Sequence, residues 1–68
     1  MQIIINLDTL LQEKGMTGKE LAETIGITEA NLSIFRSGKA RAVRFTTLAA
    51  ICDVLDCQPG DILQFTKD

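Results

Sequence analysis

Sixty-eight residues, 46% of them hydrophobic, make one folded domain and not two. Nine acidic residues against seven basic ones leave a net charge of −2, and the absence of histidine removes the commonest general base. With no glycine-rich phosphate loop and no nucleophile elbow either, an enzyme is not expected.

The opening "MQIIINLD" has three isoleucines but neither a positive leader nor a cleavage-site pattern, so it does not read as a signal peptide. Within it, "QIII" is a run of β-branched residues that reads as a short strand halted by Asn6. Helical periodicity then begins, with Leu7, Leu10 and Leu11 at spacings of three and four. Asn6 suits the N-cap of this first helix, and Gly15 suits the left-handed residue that closes it.

In "TGKELAETIG", Thr17 and Glu20 have the spacing of a capping box. Leu21, Ala22 and Ile25 make the inward stripe, and Gly26 ends the helix after about two turns. A third helix starts at once in "ITEANLSIFRSG", capped by Thr28, with Leu32 and Phe35 inward and Gly38 as the stop. Two short helices with almost no loop between them cannot lie antiparallel. They must cross steeply, as in a helix-turn-helix spanning residues 17–37.

Beyond it, "TTLAAICDVLDC" places Leu48, Ile51, Cys52 and Leu55 on one helical face. "QPGDIL" reads as a last short helix, with Pro59 at its first position and Asp61 complementing its dipole. "LQFTKD" has the pattern of a closing strand able to pair with "QIII". With Phe35, Phe45 and Phe65 the only aromatics, the core is expected to be mostly Leu, Ile and Ala. The expected architecture is therefore all-α: five helices, a central helix-turn-helix and a small two-strand pairing of the chain ends.

The longest apolar runs fall short of the roughly 18 residues a membrane span needs, and no membrane association is expected. Cys52 and Cys57 are too few for a disulfide scaffold and, without histidine, cannot complete a usual zinc site. They are expected to be buried reduced thiols in a cytoplasmic protein. No metal and no cofactor is expected.

Three segments carry a resemblance: "KELAETIGIT" for the first helix and turn, "NLSIFRSGKA" for the second helix and its exit, and "AICDVLDCQPGDIL" for the last two helices. In this ordered set the chain resembles the Cro and phage-repressor type of helix-turn-helix, the XRE-like group of bacterial regulators, from about Leu7 to Leu63. The resemblance implies a compact repressor-like domain that binds double-stranded DNA to regulate transcription, with its recognition helix over 28–37 in the major groove. At Gly18 the chain departs from relatives that carry a polar side chain there, often Gln. It also lacks the glutamines familiar from the recognition helices of phage repressors.

A helix of that length is about 15 Å long and fits a B-DNA major groove. With Leu32 and Phe35 inward, the opposite face carries Ala30, Ser33, Ile34 and Ser37, flanked by Glu29 and Asn31. The expected base-reading set is Thr28, Glu29, Ala30, Asn31, Ser33 and Ile34. Asn31 has the chemistry to bond adenine, Glu29 to accept from a cytosine amine, and Ala30 or Ile34 to touch a thymine methyl.

The stretch "RSGKARAVRF" collects four of the seven basic residues, and between Ala30 and Cys52 there is no acidic one. Arg36, Ser37, Lys39, Arg41 and Arg44 are the expected phosphate contacts on that side. Thr17, Gly18 and Lys19 are the expected contacts at the start of the second helix, where free N–H groups and the dipole attract anions.

Each residue also has a plainer reading: Glu29 favours a helix N-terminus, the serines are ordinary solvated surface, and a charged loop is often only a soluble turn. Two further functions stay open: an antitoxin-like or adaptor module holding a protein partner, and a redox pair made by Cys52 and Cys57. For the leading reading, a homodimer on half-sites about 34 Å apart is expected.

Overall fold

The computed structural model describes residues 2–67. The elements run β1 (Gln2–Ile5), α1 (Leu7–Glu13), α2 (Gly18–Ile25), α3 (Glu29–Arg36), α4 (Phe45–Leu55), α5 (Pro59–Ile62) and β2 (Leu63–Thr66). The five helices and the pairing of the ends match the architecture read from the sequence. Asp68, at the end of the expected closing strand, lies outside the described residues.

Every helix sends at least one large side chain to a common centre. Leu7 of α1, Leu21 of α2, Leu32 of α3, Ile51 and Leu55 of α4 and Ile62 of α5 are all fully buried. Each contributes about 1.5–3 kcal/mol relative to an exposed side chain. Ala22 is buried as well, which lets α2 pack closely on both α3 and α4. Among the described residues no buried side chain is polar or charged, so the core asks for no internal ion pair or hydrogen-bond network.

Antiparallel pairing joins Gln2 to Thr66, Ile3 to Phe65, Ile4 to Gln64 and Ile5 to Leu63. Ile5 and Leu63 pack against the core, whereas Ile3 and Phe65 at the far end stay exposed. The ribbon continues one step further, since the Asn6 N–H donates to the Ile62 carbonyl at 2.8 Å.

Two expectations need correction. Asn6 does precede α1, but its side chain makes no capping hydrogen bond; its position is set by the backbone bond to Ile62. Cys52 and Cys57 are free but only half-buried, because α4 turns Cys52 to the edge of the stripe whose centre is Ile51 and Leu55. Burial still pushes the Cys57 thiol above its ordinary pKa, helped by the neighbouring Cys52 and Asp61 and opposed by Lys14. Of the three aromatics only Phe35 is a core residue, Phe45 being 86% exposed at the start of α4, and the core is mostly Leu and Ile as expected. Among the described residues, no helix is long and apolar enough to cross a membrane.

Candidate nucleic-acid interface

The corner between α2 and α3 is built by local chemistry. Thr17 accepts from the Glu20 N–H at 3.1 Å while the Glu20 carboxylate accepts from the Thr17 N–H at 3.1 Å, closing the capping box. Gly26 then takes φ +79°, a left-handed conformation that glycine adopts without steric cost, and the Gly26 and Ile27 N–H groups both donate to Ala22. Two residues later Thr28 caps α3 by accepting from the Asn31 N–H at 3.1 Å. The chain thus restarts a helix almost immediately, in a new direction.

With Leu32 and Phe35 buried, Thr28, Glu29, Ala30, Asn31, Ser33 and Ile34 are all exposed. Ala30, Ser33 and Ile34 share the outer side of α3, Glu29 and Asn31 flank it, and Thr28 stands at the helix start. Among the described residues the Asn31 amide and the Ser33 hydroxyl make no hydrogen bond, so their donors and acceptors are free for a partner. Ile34 is half exposed and lines an open trough of about 370 Å³ beside α3, with Asn31 on the same wall and Val43 and Arg44 on the other. Thr28 differs from its neighbours, because its oxygen is already accepting from the helix.

At the far end, Ser37 donates from its hydroxyl to the Ile34 carbonyl at 2.8 Å and accepts from the Lys39 N–H, which fixes the exit of α3. Gly38 at φ +78° turns the chain away. The exposed Lys39, Arg41 and Arg44 follow on the irregular segment that leads into α4. None of these three, nor Lys19, is held in an ion pair among the described residues. Their charge is available to an anion outside the chain.

Arg36 behaves differently. Its Nε–H donates to Asp8 Oδ1 at 2.6 Å, reaching from the end of α3 to the first turn of α1. The same guanidinium lies over Gly18, where a Cβ would overlap Nη1 and sit 3.0 Å from Cζ. Thr17, Gly18 and Lys19 therefore share one end of the molecule with Arg36. The capping box leaves the Gly18 and Lys19 N–H groups without an acceptor among the described residues. Asp8 escaped notice in the sequence, since a pair 28 positions apart has no local pattern to reveal it.

This arrangement is an outward helix with free polar groups, bordered by unpaired cations and open helix N–H groups. Residues 6–68 match the Cro/C1-type HTH DNA-binding domain. The chain belongs to that family. It is also 56% identical, over its whole length and 81% of the relative's, to the uncharacterized HTH-type transcriptional regulator YozG of Bacillus subtilis strain 168. Among solved structures it resembles the transcriptional regulator VanUg, with a TM-score of 0.77 and 31% identity over 93% of this chain and 83% of that one. A second resemblance is to the master regulator for biofilm formation SinR in complex with DNA, at TM-score 0.71 and 26% identity, covering 78% and 84%. The protein is an HTH-type transcriptional regulator that binds DNA, and not an enzyme.

Proposed function

We propose that the protein binds a specific duplex sequence by inserting α3 into the major groove, and that it acts as a repressor-like regulator in the cytoplasm. The observation that carries this reading is the free outer side of α3: Ala30, Asn31, Ser33 and Ile34 are exposed, and the free cations flank them. An eight-residue helix is about 12 Å long, comparable to the width of the major groove. Asn31, Ser33, Ile34, Glu29 and Ala30 are the proposed base contacts, with Thr28 at the edge of the set. Arg36, Lys39, Arg41, Arg44 and Lys19 meet phosphates, joined by the open Gly18 N–H and the Thr17 hydroxyl proton, while Ser37, whose N–H and hydroxyl already donate to Ser33 and Ile34, borders the contact.

The functional unit is a homodimer on a short pseudo-palindrome. One domain measures 33 × 22 × 19 Å, which suits a single half-site, and a second copy doubles the contacts one helical turn away.

Selection of bound duplexes from a random pool tests the whole proposal. A two-fold symmetric consensus, bound less tightly as salt rises, is the expected result. Recovery of no consensus sinks sequence-specific binding; recovery of a single asymmetric half-site sinks the dimer. On the selected site, Ser33→Ala and Asn31→Ala are expected to change the preferred base at one position each. Uniform weakening on all sequences would remove both from base reading.

A further inference from the structure

We propose that Asp8 and Gly18 form a berth that aims the Arg36 guanidinium at a DNA phosphate, making both of them positioning residues for that contact. The inference rests on the reading of α3 as the groove-entering helix.

Three elements converge on one side chain. Arg36 is carried by the last turn of α3, is hydrogen-bonded by Asp8 on the first turn of α1, and rests over Gly18 at the first turn of α2. The mode of contact matters. Arginine has five N–H donors, and Asp8 accepts only the one on Nε, so the four on Nη1 and Nη2 have no acceptor among the described residues. An end-on carboxylate pair would occupy both of those nitrogens, the pair best shaped for a phosphate. A contact through Nε leaves it free. Arg36 keeps 36% of its side chain exposed.

Gly18 supplies the space. A side chain here would collide with Nη1, and only the absence of one lets the guanidinium lie against α2. An arginine side chain gives up much rotamer freedom when it is fixed in one geometry. Holding it in advance removes part of that cost from DNA binding.

The test uses the selected duplex, titrated at several salt concentrations with thermal melts of every variant. Gly18→Ala replaces a poor helix former by the best one, so its melting temperature should equal or exceed that of the parent. It evicts only a flexible side chain, and its DNA affinity should nevertheless fall about fivefold. Asp8→Ala removes a negative charge near the DNA, which by itself would tighten binding; the berth predicts a loss of about threefold instead. Asp8→Asn removes the same charge but keeps an oxygen that accepts from Nε, and should bind at least as tightly as the parent. In an Arg36→Ala background, itself weakened on the order of tenfold, neither Gly18→Ala nor Asp8→Ala should weaken binding further.

Gly18→Ala or Asp8→Ala binding as tightly as the parent overturns the berth, and so do equal effects of Asp8→Ala and Asp8→Asn. Losses that persist without Arg36 overturn it too. If the parent itself selects no duplex, the reading of α3 has failed and the berth fails with it; a binding parent with indifferent variants removes the berth alone.

Discussion

Helices α2 and α3 have the same length, eight residues, and each starts at a threonine whose hydroxyl accepts from the N–H three positions on. Their outer sides are unlike. On α2, Glu20 turns back to the Thr17 N–H and the Thr24 hydroxyl donates to the Glu20 carbonyl at 2.7 Å, so its polar side chains hold the helix itself. On α3, the amide of Asn31 and the hydroxyl of Ser33 are committed to nothing among the described residues. These two side chains of α2 serve the helix itself, and these two of α3 stay uncommitted. The inner sides, by contrast, are alike: Leu21 and Leu32 are both fully buried in the same core.

The likeness of the inner sides gives the largest expected effect. Leu21→Ala and Leu32→Ala should each cost about 2–5 kcal/mol. A domain of this size has only roughly 5 kcal/mol in total, so either variant should be largely unfolded and fail to bind DNA. Urea denaturation followed by circular dichroism measures both. A cost below about 1 kcal/mol at Leu32 alone would mean that α3 is anchored by other residues.

The outer sides should separate when salt is varied. Removing one protein–phosphate interaction flattens the log–log dependence of affinity on salt by about 0.9. Arg41→Ala together with Arg44→Ala should therefore reduce the slope by about 1.8, and Lys19→Ala by about 0.9. Exposed and unpaired, these residues should leave stability within about 0.5 kcal/mol. A large slope change from Lys19 and none from the arginines would move the DNA toward α2.

The caps come next. Thr17→Ala and Thr28→Ala should each destabilise by about 1 kcal/mol, because an orphan helix donor is deprived of its acceptor. The two effects should be similar, since each substitution removes one hydroxyl acceptor and the bond from the residue-17 N–H to the Glu20 carboxylate stays in place. Glu20→Ala removes the other half of the box, and an unchanged urea midpoint for it would show that this half adds nothing.

How far these features were legible in the sequence depended on how local they are. Gly26 and Gly38 marked helix ends because positive φ favours glycine, and Thr17, Glu20 and Thr28 marked starts because their bonds span three residues. Periodicity found the exposed residues of α3 for the same reason. Interactions between distant segments left no such mark: Asp8 with Arg36, the guanidinium over Gly18, and the backbone bond that replaces an Asn6 cap. The candidate interface was readable as a set of residues. Its geometry was not.

The smallest expected effect is at Glu29, where the two roles of α3 conflict. As the first residue of the helix, its carboxylate complements the dipole, so Glu29→Gln should cost about 0.3–0.5 kcal/mol of stability. In the proposed complex the same charge would stand near phosphates, and removing it should strengthen binding, with a steeper salt dependence. Glutamine retains a carbonyl able to accept from a cytosine amine, so a base-reading role would keep the preference at that position while affinity rises. Glu29→Ala separates the two effects: it removes the acceptor as well as the charge, and its preference at that base should disappear. If both variants gain affinity with an unchanged consensus, Glu29 serves the helix and not the readout.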